Sequence, residues 1–395
     1  MTQPTHLYLF APENDMALAF GGRYYTPTPA AQGIARDLSQ LPLWYASERD
    51  ALVWSQQHID KERQAVLTSL GITAQCVAQP PTGVSCCEPW GWSAYIVDKF
   101  VRAGINRTLL PGDEVIATRR QLSGRATSRT IMEELHKILP HYVMPPLPCA
   151  LYSGDEVARY VTSQPASMLK APWSSSGRGV WVVRGEYDPM TARSAEGIIR
   201  KQGYIMGETW QEKVADLAME FYSDGTTVRW AGYSLFDTDS RGAYQGNILE
   251  SNEALEDRLS QLIDRATLHD VRKALEQVGT TLIAPHYKGY YGIDMILYRT
   301  SQGEVLLHPC IELNMRMSMG MVARIIADRY LAPTSQGVYQ VAYFPTTAEL
   351  QAHDNALSNE HPLQLEHGRI TSGYLALTPI LPDTHYCAYI IVKGE

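Results

Sequence analysis

Two apolar runs near position 300 constrain this chain more than any other stretch. Residues 289–299 and 304–314 are rich in aliphatic and aromatic side chains, and Thr300-Ser-Gln-Gly303 between them supplies a turn, which predicts an antiparallel hairpin. Ile293, Met295, Ile296, Ile311 and Leu313 make both strands too apolar for a ribbon in water, so the hairpin must belong to a larger, packed sheet. Its polar residues then become informative. Alternation along a strand sets Glu312 and Asn314 on one face, and hairpin pairing brings Asp294 within a residue or two of facing them. Three oxygen donors converging beside an apolar layer suit a hard divalent cation such as Mg2+ (Mn2+ is the alternative), which completes its shell with phosphate and water. The competing reading is an ordinary polar strand face, and the apolar neighbours favour a cleft over it. Pro309, in His308-Pro-Cys310, takes a donor out of the second strand and predicts a bulge or an edge there.

A chain of 395 residues exceeds what one core usually serves, so two or three packed subdomains are expected. With 45% hydrophobic and 19% charged residues it can bury a large core, which excludes a disordered, collagen-like or coiled-coil protein. A net charge of −8 argues against nucleic acid as the main partner, because the phosphate backbone selects basic surfaces. The six cysteines, Cys76, Cys86, Cys87, Cys149, Cys310 and Cys387, form no Cys-x-x-Cys pair and read as reduced thiols, the adjacent Cys86 and Cys87 included. The opening residues lack the basic start and apolar core of a signal peptide, and no stretch reaches the length of a membrane span. The cytoplasm, with no membrane partner, is the expectation.

Along the chain, residues 7–10 read as a buried strand ending in Ala-Pro-Glu-Asn-Asp, and Ser93 heads a helix with Tyr95, Ile96, Phe100 and Val101 at helical spacing. Residues 108–111 and 114–117 continue an alternation of strand and helix, giving a nucleotide-fold-like α/β domain over residues 1–115. A helix follows over 128–139, then the linker Met144-Pro-Pro-Leu-Pro148 and a helix capped by Ser153 with Glu156. Strands are predicted at 168–171, 180–183, 204–209, 214–222 and 226–236, which is antiparallel territory. One long or two short helices fill 254–278, and another helix covers 319–331. Residues 336–395 are weakly patterned; they would close the substrate side of a site or mediate a homodimer.

Two further features carry chemistry. Lys170 ends a strand and is followed by Ala-Pro-Trp-Ser-Ser175-Ser176-Gly177-Arg178-Gly179, small residues whose backbone N–H groups can approach phosphate oxygens while the lysine supplies a point charge. A surface hairpin with a solvated lysine explains the same run about as well. The second feature, Met206-Gly-Glu208-Thr209-Trp210, leaves an apolar strand for a connection whose backbone can read a purine edge, with Met206 or Trp210 against the ring. Taken alone, core packing explains it better.

In this order and spacing, these features resemble the ATP-grasp superfamily, most closely the biotin-carboxylase-like branch that includes amino-acid ligases. The resemblance covers roughly residues 115–330, and the run Glu312-x-Asn314-x-Arg316-x-Ser318-x-Gly320 is its most specific motif. It implies an α/β (α+β) architecture: a Rossmann-like domain over 1–115, a small antiparallel lobe with a phosphate flap over 116–205, a large lobe with the metal site over 206–335, and a C-terminal segment over 336–395. It also implies roles. Lys170 with Ser175, Ser176, Gly177, Arg178 and Gly179 would hold ATP phosphates, and Arg125 would stand where the family usually has a lysine, a change that keeps charge but not reach. Glu208, Thr209 and Trp210 would form the adenine hinge, with Asp216 near the ribose. Asp294, Glu312 and Asn314 would be the metal ligands, and Arg316 would steady an acyl phosphate or a substrate carboxylate.

The implied reaction is ATP-dependent joining of a small carboxylate to an amine, through an acyl phosphate, with ADP as product. Such chemistry needs positioning and charge neutralisation more than a protein nucleophile. Bicarbonate activation fits less well, since no lysine lies between Lys213 and Lys273 and no Met-Lys-Met biotin attachment site is present. A small-molecule kinase and a non-catalytic nucleotide-binding module stay open. Elsewhere, Asn14, Asp15 and Arg23 follow the first strand, where α/β domains bind ligands, although turn formation explains them equally well. Trp90 and Trp92 read as a packed domain interface, His286, Tyr287 and Lys288 as neighbours of an acceptor, and Met315, Met317, Met319 and Met321 as apolar lining.

Overall fold

A computed structural model describes residues 5–47, 51–174, 177, 179–238 and 244–394. The amino-terminal unit is a four-stranded parallel sheet, β1 (His6–Leu9), β2 (Leu52–Trp54), β3 (Gln75–Val77) and β4 (Cys86–Pro89), in the order β3-β2-β1-β4. Around it lie α1 (Asn14–Phe20), α2 (Pro29–Asp37), α3 (Lys61–Ser69), α4 (Ala94–Arg102) and α5 (Asp113–Leu122). Ser93 caps α4 as the sequence suggests. No strand forms at 108–110. Asn106 instead accepts from the Thr108 N–H and starts a short 3-10 turn over Arg107–Leu109, stopped by Pro111-Gly112.

A small lobe follows: α6 (Ala126–Ile138), β5 (Cys149–Leu151), α7 (Gly154–Thr162), β6 (Ser167–Lys170), β7 (Val180–Val183), α8 (Pro189–Gln202) and β8 (Ile205–Thr209). Its antiparallel sheet, β5-β8-β6-β7, closes on its own core of Leu151, Val157, Val161, Leu169, Val183 and Ile205.

The third sheet has nine strands in the order β13-β12-β9-β10-β11-β14-β17-β16-β15. These are β9 (Glu212–Ser223), β10 (Val228–Thr238), β11 (Tyr244–Leu249), β12 (Gly289–Arg299), β13 (Val305–Asn314), β14 (Gln336–Tyr343), β15 (Gln364–Glu366), β16 (Arg369–Ala376) and β17 (Tyr386–Lys393). The helices α9 (Asn252–Ser260), α10 (Arg265–Leu282), α11 (Met319–Tyr330) and α12 (Thr347–Glu360) complete the chain. The weakly patterned carboxyl end thus supplies four strands of the largest sheet. It also docks on the amino-terminal unit: the Asp37 carboxylate accepts from the His385 and Tyr386 N–H groups at 2.8 and 3.0 Å, and the Trp44 indole donates to the Leu377 carbonyl at 2.7 Å. Between the two sheets runs α11, whose Val322, Ile325 and Ile326 share one core with Leu7, Phe10, Trp44, Tyr339 and Ile390.

Pairing across β12 and β13 sets Asp294 directly opposite Glu312, and Gly292 opposite Asn314. The register then slips, Ile296 pairing with His308, so β13 carries two extra residues around Pro309. That is the bulge the proline predicts.

Candidate active site

The site is laid out by sheet register. One rung reads Asn314, Gly292, Glu220 and Gly232 across β13, β12, β9 and β10; the next reads Glu312, Asp294, Ala218 and Ser234. Residues on adjacent rungs two apart along a strand share a face, so Asn314, Glu220, Glu312 and Asp294 converge on one side. Asn314 Nδ2 donates to Asp294 Oδ2 at 3.0 Å, and Arg316 donates to Asn314 Oδ1 at 3.0 Å.

Glu220 was not singled out by the sequence. It is 1% exposed, Oε1 accepts from Ser318 Oγ at 2.8 Å, and Oε2 has no hydrogen-bond partner. Two glycines make room for it: a Cβ at Gly292 would lie 2.7 Å from Oε2, and one at Gly320 would lie 2.6 Å from Oε1 and 2.3 Å from Ser234 Oγ. These contacts give the Glu-x-Asn-x-Arg-x-Ser-x-Gly run a physical meaning. Glu312 and Asn314 end a strand, Ser318 caps α11 through the Met321 N–H at 2.8 Å while holding Glu220, and Gly320 lets α11 close over both. Periodicity offered one cue, since Asp216, Ala218 and Glu220 alternate along β9 onto this face.

Crowded carboxylates change each other's chemistry. Burial pushes the Glu220 carboxyl up to about 8, against the Ser318 hydrogen bond and with help from the Asp294 charge. Burial and the Glu312 charge raise Asp294 to about 7, although Arg316 and the Asn314 hydrogen bond pull the other way. An all-oxygen donor set of Asp294, Glu312 and Asn314, with the unpartnered Oε2 of Glu220 beside it, would fit a hard divalent cation.

The small lobe contributes cations. Lys170, at the end of β6, pairs with Glu208 of β8, and both are buried. Beneath them His308 is kept neutral: burial lowers its imidazole to about 4, although the Glu208 charge opposes the shift. Arg125, at the N-cap of α6, bridges the lobes by donating to the Ala171 carbonyl at 3.1 Å and Ser174 Oγ at 3.2 Å while pairing with Glu312 at 2.8 Å. Gly177 and Gly179 both have positive φ, 72° and 70°, and the Gly179 carbonyl closes the loop base on the Ala171 N–H at 2.7 Å. Ser175, Ser176 and Arg178 lie outside the described residues.

The proposed hinge is partly committed to the lobe itself. The Trp210 N–H donates to the Ala166 carbonyl at 3.2 Å, its ring lies 5.0 Å under the Arg184 guanidinium, Thr209 Oγ1 donates to Gln164 Oε1 at 2.7 Å, and Met206 is fully buried. Asp216 stands on the same face as Asp294 but is tied to Lys213 and to Thr238 Oγ1, the latter at 2.7 Å.

Arg316 reaches a partner 301 positions earlier. Its Nε lies 2.8 and 2.9 Å from the two Asp15 carboxylate oxygens, Nη2 lies 2.7 Å from one of them, and Nη1 donates to the Met317 carbonyl at 3.1 Å. Burial alone would lower the guanidinium pKa; the Asp15 carboxylate, together with the Glu312 and Asp294 charges, more than reverses that. Trp90 and Gly91 press on the same turn: the Met317 N–H donates to the Trp90 carbonyl at 2.9 Å, and a Cβ at Gly91 would lie 2.5 Å from Asn14 Nδ2 and 3.0 Å from Arg316 Cβ. A cavity lined by Asn14, Asp15, Trp173, Ser174, Glu312 and Arg316 opens here, so the segment after β1 does reach the site. Asp15→Ala would leave Arg316 without its anchor. On the ligase reading that the sequence resemblance implies, we expect turnover to fall 10- to 100-fold with little change in ATP affinity, checked by steady-state ADP release and nucleotide titration.

A parallel α/β unit followed by a small antiparallel lobe and a large antiparallel sheet is an arrangement this chain shares with solved biotin carboxylases. Among solved structures, the chain matches the biotin carboxylase of Campylobacter jejuni, at a TM-score of 0.52 and 11% identity over 98% of this chain and 87% of that one. The biotin carboxylase domain of the Hydrogenobacter thermophilus 2-oxoglutarate carboxylase matches at 0.52 and 13% identity over 99% and 87%. An ADP complex of N5-carboxyaminoimidazole ribonucleotide synthetase matches at 0.50 and 11% identity over 99% and 93%. At these identities the likeness is one of fold. No protein-family model and no curated protein sequence matches the chain.

Proposed function

We propose that the protein is an ATP- and Mg2+-dependent carboxylate–amine ligase that works through an acyl phosphate. The observation that carries this reading is the pair of rungs that set Asp294, Glu312 and Asn314 together, bridged by Arg125 to the end of the strand bearing Lys170. Phosphate chemistry needs such an arrangement of cations facing a cation cradle, and no protein nucleophile. The solved structures of like fold include complexes described as with beta-gamma-ATP, with ADP, and with MgADP, ADP and bicarbonate.

In this reading a carboxylate oxygen of the substrate attacks the γ-phosphorus, the bond to the ADP oxygen breaks, and ADP leaves. The amine then attacks the acyl carbon, phosphate departs, and the amine proton passes to solvent or to a site carboxylate. Asp294, Glu312 and Asn314 would hold Mg2+, which would supply neutralisation of the charge developing on the phosphate. Lys170 holds phosphate oxygens, Arg125 keeps Glu312 in place, and Arg316, oriented by Asp15, steadies the acyl group. Glu208, Thr209 and Trp210 would border the nucleotide base, and Gly177 and Gly179 would lie toward the phosphates. Small carboxylates and amines are the substrates, the setting is the cytoplasm, and no helix among the described residues is long and apolar enough to cross a membrane.

The test is ADP release from Mg2+-ATP with pooled small carboxylates, bicarbonate and amines, with mass spectrometry of the products. Carboxylate-dependent ADP and a condensed amide are expected, and Glu312→Gln should lower the rate at least 10³-fold, in line with removal of a cation ligand and a preorganised charge. Carboxylate-independent ADP, or full turnover by that variant, would remove the assignment.

A further inference from the structure

At the amino-terminal edge of the parallel sheet, away from the two rungs, three metal-ligating side chains meet. β1 and β4 pair in parallel with His6 beside Cys86, and Glu88, two residues on, projects from the same face of β4 as Cys86. Cys86 Sγ donates to Glu88 Oε1 at 3.3 Å, and His6 Nδ1 lies 3.5 Å from the same oxygen. The ligand atoms that the three residues offer all lie within 4.8 Å of one another.

Those spacings are the ones a tetrahedral ion imposes. Zinc bonds of about 2.0 Å to nitrogen or oxygen and about 2.3 Å to sulfur, at tetrahedral angles, hold their donors roughly 3.3–3.7 Å apart. Two of the three edges here, 3.5 and 3.3 Å, fall in that window before any ion has drawn them in. Imidazole, thiolate and one carboxylate oxygen form a mixed donor set that selects a borderline-soft ion over Mg2+, the reverse of the all-oxygen set at Asp294 and Glu312. The partly exposed Glu88, its side chain 42% accessible, leaves a way in for the ion and a fourth position for water.

From this geometry we infer that His6, Cys86 and Glu88 form a zinc site that staples β1 to β4. The site lies behind the catalytic face. The carboxyl ends of the same two strands lead into Asn14 and Asp15 on one side and Trp90 on the other, all within reach of Arg316. Zinc at the opposite end would fix the angle between the strands that deliver them. On binding, the Cys86 proton is released to solvent and the thiolate takes up the ion.

In sequence Cys86 reads as an ordinary reduced thiol, since it has no second cysteine pair and its co-ligand His6 stands eighty positions away. Its neighbour Cys87 provides an internal control. Cys87 is buried on the other face of β4, and burial pushes its thiol up to about 11, so it should ligate nothing.

The experiment is titration of the reduced full-length chain with Co2+ and then Zn2+, with no nucleotide present. We expect one equivalent of Co2+ to give a sulfur-to-cobalt charge-transfer band that one equivalent of Zn2+ removes and excess Mg2+ leaves intact. Cys86→Ser should abolish the band, His6→Ala should weaken binding at least 10-fold, and Cys87→Ser should bind like the parent. Circular dichroism of each variant separates loss of a ligand from loss of the fold. No band in the folded parent protein, or a band that survives Cys86→Ser, overturns the site. Neither result bears on ATP turnover, so this inference and the ligase reading fail independently.

Discussion

Lys170→Met should cut ADP formation about 10³-fold or more, the loss typical of a preorganised charge aimed at a transferring phosphoryl group. The same change has a structural cost, because Lys170 and Glu208 are a buried pair and Glu208 Oε1 already lacks a partner. An uncompensated buried carboxylate costs about 3–5 kcal/mol, so the single variant should melt well below the parent. The double variant Lys170→Met/Glu208→Gln separates the two effects. Neutralising Glu208 should return most of the stability and none of the activity, as read by thermal unfolding and coupled ADP assay. Recovery of turnover in the double variant would mean that Lys170 serves only to neutralise Glu208.

The second large effect is on stability against pH. Burial penalises the charged form of Glu220 and pushes its carboxyl up to about 8 in the folded protein, far above its ordinary value. The folded state therefore holds this proton more tightly than the unfolded state does. The stabilisation is fully present below about pH 4.5 and is lost as pH rises through 8, about 5 kcal/mol in all for a shift of this size. Asp294, raised to about 7, adds in the same direction. In metal-free buffer, Glu220→Gln cannot lose this proton, so its stability relative to the parent should climb steadily from pH 5 to pH 8.5. Saturating Mg2+ should shrink that gap, since a cation offsets the repulsion among Glu220, Asp294 and Glu312. Parallel stability curves for the two proteins, measured by urea unfolding across that range, would exclude an ionisable Glu220 at this position.

The hairpin at the heart of the site was readable because apolar alternation, a four-residue turn and a strand-breaking proline each leave a mark in sequence. Those marks alone bring Asp294 within a residue or two of Glu312, and the pairing sets them directly opposite. The Asp15–Arg316 pair could not be reached in that way, since nothing local ties residue 15 to residue 316 and only the docking of the amino-terminal sheet on α11 joins them. Glu220 was hidden for a different reason. Its strand is apolar on both sides of it, and a lone carboxylate there reads as surface until the two glycines facing it are known to be neighbours. The carboxyl-terminal strands left little signal because β17 is buried along most of its length, so the polar alternation that marks a one-sided strand is missing. Residues 108–110 misled for the opposite reason, a short apolar pair whose flanking Asn106 and Pro111 decide its shape.

The slip at Pro309 works as a spacer of fixed length. Two surplus residues preserve the alternation of side chains, so Glu312 and Asn314 keep their face whether or not the slip is there. What changes is the rung. Were those two residues taken into a regular ladder, Asp294 would stand opposite Cys310, and Glu312 would lie about 7 Å along the sheet, facing Gly292. A chain shortened by those two positions would thus need no slip and would still set Glu312 opposite Asp294, whereas two residues added with the slip unchanged would carry Glu312 off that rung. Insertions and deletions in this segment are therefore a way to tell the scaffold's requirements from those of its chemistry.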